Sequence, residues 1–565
     1  MSKERKIKPT ARQAGDFFFL NRPYLWLTLV CIIVYGASLW YGYAELDDSI
    51  FIREMKDYNN DLANILKSFT RGVFNPTNDI YYRPVFLIDF ILEGHLFGTS
   101  IGWYHFTNLL FHIGSVLLLF TLFRKLKLGD LSSFLFTALF AVHPVLTQAV
   151  VWIPGRNDML LSIFLLLALI GLINYTETGK LKWLVLYGAM FLIALFTKET
   201  AIAFPFMCLL YLIMLAGLKI NDKRVALFMI SAIVPFVFYF AVKSTATLGH
   251  STVGNNLFGL IIYRSPLMSQ YIGKAFFPVN LSVYPTMEDT NNIYGIVAST
   301  LLLLIFIATK SYKNRKSVWG LIWFGVFLSP LLLVPKEMNN QIFEHRLYLP
   351  LMGLLIFLSQ VVNLEDKTNQ GRKMYAFAAV IVVFAIISFA RESYFNDPVT
   401  FWSKAVEDSP HSPSAKTFLA MRIFDLPDQK NRAIELFHEA YNENPNERWL
   451  NYYLGEYYHG VDSLRQAEFH ARKEIQNTNY YEANFLMAGI MFEKKEKDSA
   501  LFYLEKVATL NPRDERIYNN MTMLYLEKNN IQSAKQTVER AQANGVILNP
   551  DLVKAVELRT KDGGK

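Results

Sequence analysis

Long apolar runs recur up to about residue 391 and then stop. A membrane span needs roughly 20 mostly apolar residues, with a range of about 17–25. Stretches of this kind fall at 24–43, 101–123, 131–151, 159–175, 181–197, 200–218, 225–243, 293–310, 317–334, 347–364 and 374–391. They predict a polytopic membrane domain over residues 1–392 with about eleven spans. A further run, Ile50 to Phe69, repeats apolar residues at roughly helical spacing with charges between, which suggests a helix lying on the membrane surface.

Beyond residue 398 the pattern changes to short amphipathic helices. Ala433, Ala467, Ala500 and Ala534 lie 34, 33 and 34 residues apart, and Pro445 and Pro512 each follow twelve residues after the first and third of them. Leu454-Gly455-x-x-Tyr458 returns as Ala488-Gly489-x-x-Phe492 and Met521-Thr522-x-x-Tyr525. This is the tetratricopeptide (TPR) period, with small residues where paired helices meet. An α-solenoid of about four helix pairs over 398–560 is expected, and its concave face suits a protein or peptide. The whole chain is therefore predicted to be all-α.

Charge sets the orientation. The basic excess, 56 Lys and Arg against 48 Asp and Glu, lies largely in short loops between apolar runs, as at Arg124-Lys125-Leu126-Lys127, Lys223-Arg224 and Arg315-Lys316. By the positive-inside rule those loops and the N-terminus are cytoplasmic. The same distribution argues against a nucleic-acid partner. With an odd number of spans the repeats lie outside: the periplasmic side of a bacterial inner membrane, or a secretory lumen. The two cysteines, Cys31 and Cys208, sit inside apolar runs and exclude a disulfide framework or a zinc site built on cysteine.

Polar chemistry gathers on the outer side of this topology. Its first loop holds Asp47, Asp48 and Tyr82-Arg83-Pro84. The second holds His143-Pro144 and Gly155-Arg156-Asn157-Asp158, and the third Lys198-Glu199. The fifth holds Pro335-Lys336-Glu337 and then Glu344-His345-Arg346-Leu347-Tyr348. Charges this close to span ends are costly unless hydrated, paired or used, so each is a functional candidate. They cluster at one end of the spans rather than mid-span beside broken helices, which disfavours a transporter.

The order of these motifs resembles the TMTC-type (transmembrane and TPR-containing) protein O-mannosyltransferases of the GT-C glycosyltransferase superfamily. The matching pieces are Asp47-Asp48, Tyr82-Arg83-Pro84, Gly102-Trp103-Tyr104-His105 on to His112, and His143-Pro144. Gly155-Arg156-Asn157-Asp158, Lys198-Glu199 and Arg346-Leu347-Tyr348-Leu349-Pro350 complete the set. The resemblance implies a GT-C-like membrane domain and a lipid-linked donor, a polyprenyl-phosphate monosaccharide. It also implies a hydroxyl acceptor on the outer side, protein Ser or Thr, and a catalytic base within the acidic pair.

The residues agree with that chemistry. Transfer from a lipid phosphate needs a carboxylate to take the proton of the acceptor hydroxyl, and cations to stabilise the leaving phosphate. Asp48 is the preferred base and Asp47 the alternative, with inversion at the sugar. Adjacent residues at a helix start point about 100° apart, so one would face substrate and the other a cation. Arg83, Arg156, Lys198 and Arg346 are the candidate phosphate cations, with Tyr348 beside them. Asp158 and Glu199 are expected to hold Arg156 and Lys198, and His143 and His345 to hydrogen-bond near the phosphate. An acidic pair can bind a divalent ion in some GT-C enzymes, but no metal site is assigned. The rival reading is a non-catalytic membrane scaffold that recruits partners through its repeats.

Overall fold

The structure, a computed structural model, describes residues 18–74, 81–246, 257–334, 341–367 and 369–562. The basic N-terminal segment and Pro335-Lys336-Glu337 lie outside the described residues. All named elements are helical, apart from one isolated bridge between Thr286 and Gln341. The chain divides into two compact units, Met1–Ser409 and Pro410–Lys565.

The first unit is that of an integral membrane protein. Among the described residues, six of its helices are long and apolar enough to cross a bilayer: Pro23–Trp40, Ile101–Lys125, Ile153–Thr178, Lys223–Lys243, Arg315–Leu333 and Gln370–Phe395. A seventh candidate is the pair Asp130–Ala141 and Pro144–Val151, bent by 49°. Lys182–Thr197, Glu199–Leu215 and Asn292–Ala308 are shorter apolar helices, and Tyr348–Val361 is a buried one. Each apolar stretch of the sequence thus falls on helix, while length alone qualifies only the six. Of the most apolar stretch of Ile153–Thr178, 67% is buried, against 6% for that of Gln370–Phe395.

The bend in the paired helix follows from Pro144, which has no N–H to donate. Carbonyls near a break in an apolar layer need other donors. His112 Nε2 reaches the Ala141 carbonyl (3.0 Å) and Ser388 Oγ the Val142 carbonyl (2.7 Å). Arg315–Leu328 and Tyr348–Val361 cross with glycine against glycine. A Cβ on Gly353 would stand 2.5 Å from the Gly320 carbonyl oxygen, so neither position has room for a side chain.

Two expectations change. The Ile50–Phe69 run is not one surface helix but a series of short turns. Phe51 and Ile52 are buried against Phe86, Phe90 and Tyr104, so its apolar residues pack on protein rather than lipid. Pro84–Phe97, not anticipated as an element, is the helix they pack against.

The second unit contains four helix pairs and a last helix: Pro413–Ile423 with Lys430–Glu443, Leu450–Gly460 with Leu464–Thr478, Tyr481–Glu493 with Lys497–Leu510, Glu515–Glu527 with Ile531–Ala543, then Pro550–Asp562. The repeat alanines 433, 467, 500 and 534 are fully buried. This is a TPR α-solenoid. Pro398–Asp408, at the start of the expected repeat region, belongs to the first unit, where Trp402 packs on Tyr284 and Phe401 on Phe395.

Candidate functional site

The acidic pair follows a sharp bend. Glu45 and Leu46 both take positive φ (69° and 62°), a conformation L-residues avoid unless the surroundings enforce it. Asp48 supplies part of that enforcement: its Oδ2 accepts from the Ala44 N–H (3.0 Å), and its side chain is buried. Asp47, on the other side of the turn, is half-buried and lines a cavity of about 540 Å³. The structure therefore gives the two aspartates different surroundings, and it is Asp47, not the preferred Asp48, that faces open space. Burial raises the Asp47 carboxyl to about 6, with the charge of Arg83 partly opposing it. Burial, with the neighbouring Asp47 charge adding, raises Asp48 further.

One wall of the cavity is charged, with Arg83, Asp158, Lys198 and Glu199 upon it. Arg83 grips Glu199 in a two-pronged pair (Nε–Oε2 3.0 Å, Nη2–Oε1 2.6 Å). Lys198 Nζ bonds both oxygens of Asp158 (2.8 and 2.7 Å). Asn157 sits between; with its amide turned so that oxygen meets donor and nitrogen meets acceptor, it accepts from Arg83 (2.8 Å) and donates to the Thr197 carbonyl (2.9 Å). Burial alone would raise the Glu199 carboxyl; Arg83 and Lys198 overcome it and hold it at about 2. The pairing differs from expectation: Asp158 holds Lys198, and Glu199 holds Arg83.

A second wall is apolar, made by Phe327, Pro330, Leu331, Leu333 and Val334. Between the walls, His345 and Arg346 reach in from a single turn, Glu344–Leu347, and Phe343 from the residue before it. Arg346 donates to the Gln341 carbonyl (3.3 Å) and lies over the Phe343 ring, and it makes no ion pair among the described residues. That turn is anchored by Glu344, a charge of the fifth outer loop whose partners the sequence did not reveal. Fully buried, Glu344 accepts from Lys274 Nζ (2.9 Å), the Ser282 N–H (2.9 Å) and Arg391 Nη2 (3.0 Å).

Three candidates fall elsewhere. Arg156 has no exposed side-chain surface and points away from the cavity. It bonds Asp89 and Glu93 (2.7 Å each), the Asn108 amide oxygen (2.7 Å) and the Tyr104 carbonyl (2.8 Å), so its donors are spent on the protein and not on phosphate. His143 caps the bend, accepting from Val145 N–H (3.3 Å) and donating to the Ala275 carbonyl (3.0 Å). Tyr348 is buried with its hydroxyl on His112 Nδ1 (2.8 Å), while the following Leu349 and Pro350 line the cavity. The Asp89–Glu93 pair carried a signal that could have been read: two acids four apart share one face of an otherwise apolar helix. Among the described residues no three His, Cys, Asp or Glu side chains gather as a metal would need.

Comparison with known proteins follows the same outline. The family model described as dolichyl-phosphate-mannose-protein mannosyltransferase matches residues 85–241. Human protein O-mannosyl-transferase TMTC3 is 22% identical over 594 residues, covering 94% of this chain and 61% of that protein. The chain is a relative of the TMTC-type protein O-mannosyltransferases. A Caenorhabditis elegans protein O-mannosyl-transferase, F38B6.6, is 35% identical across 22% of this chain and 20% of its own length. Among solved structures, the Archaeoglobus fulgidus oligosaccharyltransferase in its apo form covers 75% of this chain and 60% of its own, at 12% identity and a TM-score of 0.45. The chain spans about three fifths of the length of the human protein it matches. The family-model match contains Asp158, Lys198 and Glu199 of the charged wall; Asp47, Arg83, His345 and Arg346 lie outside it.

Proposed function

We propose that this chain is a membrane glycosyltransferase. It moves a monosaccharide, mannose by the relatives' names, from a polyprenyl-phosphate donor to a Ser or Thr hydroxyl of a protein on the outer, periplasmic or luminal, side. The observation that carries the reading is the cavity itself: a carboxylate with a raised pKa and an arginine that makes no ion pair among the described residues line one space beside an apolar wall.

Asp47 is the base in this proposal. It takes the proton of the acceptor hydroxyl as the oxygen bonds to the anomeric carbon. The bond from that carbon to the phosphate oxygen breaks, the sugar inverts, and polyprenyl phosphate leaves. Arg346 neutralises the leaving phosphate, and its fork suits two phosphate oxygens. Arg83 and Lys198 are already paired, so they contribute field and shape more than direct bonds. The apolar wall suits the first isoprene units. Asp48 holds the turn that presents Asp47. In the same proposal the TPR unit lies outside and carries the acceptor in its groove.

The test is transfer of radiolabelled sugar from polyprenyl-phosphate mannose to outer-compartment protein by the purified chain. Wild type is expected to transfer and Asp47→Asn to lose activity by at least ~100-fold, as removal of a general base does. Full transfer by Asp47→Asn would overturn the assignment. No transfer by wild type with any polyprenyl-phosphate sugar would favour the scaffold.

A further inference from the structure

His345 is the cavity residue whose hydrogen-bonding role the structure determines most completely. Its ring lies between two aromatic neighbours, Phe343 and Trp152, with centroids 5.4 Å from each. Behind it is Gln148, fully buried. The Gln148 amide is oriented by two backbone groups whose roles admit no choice. Its nitrogen donates to the Val283 carbonyl (3.0 Å), and its oxygen accepts from the His345 N–H (3.1 Å). The same Gln148 oxygen lies 3.1 Å from His345 Nδ1. An amide oxygen only accepts, so Nδ1 must carry the proton. In a neutral imidazole the other nitrogen is then a bare acceptor.

The surroundings of His345 favour the neutral imidazole. Burial and the nearby charges of Lys198, Arg346 and Arg83 lower its pKa well below the usual value. Nε2 has no hydrogen-bond partner among the described residues, and the ring lines the cavity. The nearest carboxylate oxygen, Asp158 Oδ2, is 3.9 Å from Nε2, and Lys198 already engages it. Two acceptors therefore stand side by side at the cavity wall. What fits them is a hydrogen-bond donor. A sugar phosphodiester offers none: its phosphate oxygens only accept, and would meet the Nε2 lone pair with repulsion. The sugar's hydroxyl groups do donate.

Resting on the glycosyltransferase reading, we propose that His345 reads the donor's sugar and not its phosphate: Nε2, fixed as an acceptor by Gln148, takes a hydrogen bond from one sugar hydroxyl. His345 is then a specificity-determining residue and Gln148 its positioning residue. A sugar lacking that hydroxyl, or presenting it in the other configuration, leaves Nε2 without a donor beside the Asp158 carboxylate. Sites built around a substrate hydroxyl discriminate strongly for that reason.

The experiment measures binding by the full chain in detergent of polyprenyl phosphate, polyprenyl-phosphate mannose and each of its monodeoxy forms. Wild type, His345→Ala, His345→Gln and Gln148→Leu are compared. Wild type should bind one monodeoxy donor roughly 10–100-fold more weakly than the parent, the range expected for an unpaired buried polar group. His345→Ala should bind the parent donor more weakly by a similar factor, with no further loss on that one analogue. Its affinity for sugar-free polyprenyl phosphate should be unchanged, which also shows that the site is folded. His345→Gln, which keeps an acceptor oxygen, should recover part of the loss, and Gln148→Leu should resemble His345→Ala.

Equal weakening of polyprenyl phosphate and of the sugar donor in His345→Ala would overturn the proposal. So would losses that multiply for every analogue, which would place the hydroxyl read by His345 elsewhere. Absence of binding to any of these lipids by wild type would instead remove the glycosyltransferase reading, and this inference with it.

Discussion

Glu344→Gln removes one negative charge from a buried cluster and leaves two cations behind. Lys274 and Arg391, with side chains 3% and 7% exposed, then share a neutral amide. The amide oxygen can replace some of the acceptor capacity, but the amide nitrogen is a donor set against donors. Removing one partner from a buried ion pair costs ~3–5 kcal/mol, much of it the uncompensated charge left behind. Three bonds of 2.9–3.0 Å converge on this carboxylate, so a value in that range is expected. Glu344 also heads the turn that carries His345 and Arg346, so loosening it should lower kcat/KM along with stability. The check is chemical unfolding of the detergent-solubilised chain beside the transfer assay. Adding Lys274→Met to Glu344→Gln should return part of the loss, a coupling of ~0.5–3 kcal/mol. A Glu344→Gln protein that unfolds at the wild-type midpoint and transfers sugar at the wild-type rate would refute the reasoning.

Other consequences are equally direct. Asp47 must be ionised to accept a proton, and burial raises its carboxyl to about 6. The kcat/KM for transfer should therefore fall about tenfold per pH unit below about 6, and not only below the ordinary aspartate range near 4; a flat profile from pH 7 to 5 would exclude Asp47 as the base. The Arg83–Glu199 pair should persist through that window, because Glu199 stays ionised down to about 2. Gly353→Ala places a methyl 2.5 Å from the Gly320 carbonyl oxygen and should destabilise the first unit by ~1–3 kcal/mol, read as a lower unfolding midpoint. Arg156→Lys keeps the charge but cannot reach Asp89, Glu93, Asn108 and the Tyr104 carbonyl together. A loss of ~2 kcal/mol or more is expected by the same measurement, and a loss under about 0.5 would show the fork to be dispensable.

Local pattern carried most of the architecture. Apolar run length found the long apolar helices of the first unit but not Pro84–Phe97, and the spacing of Ala433, Ala467, Ala500 and Ala534 found the solenoid, because both depend on neighbours in sequence. Clustering at one end of the spans gathered Asp47, Arg83, Asp158, Lys198, Glu199, His345 and Arg346, which the structure places around one cavity. Partner choice was not legible. Arg156 looked like Arg346 in sequence, yet two acids 67 and 63 residues away engage it fully. Gln148 left no trace, and Glu344 showed only as one charge of the fifth loop, since their roles exist only once distant segments meet. The choice between Asp47 and Asp48 turned on the positive φ of Glu45 and Leu46, a bend that periodicity does not encode.

The central claim is that one cavity holds both the base and the phosphate cation. It is tested most directly by separating binding from turnover in two variants, using equilibrium binding of polyprenyl-phosphate mannose and single-turnover transfer. Asp47→Asn should bind the donor about as tightly as wild type and fail to transfer. Arg346→Ala should lose donor binding roughly tenfold or more, as expected for a lost charged hydrogen bond. An Asp47→Asn protein that transfers normally, or an Arg346→Ala protein that binds the donor like wild type, would contradict it.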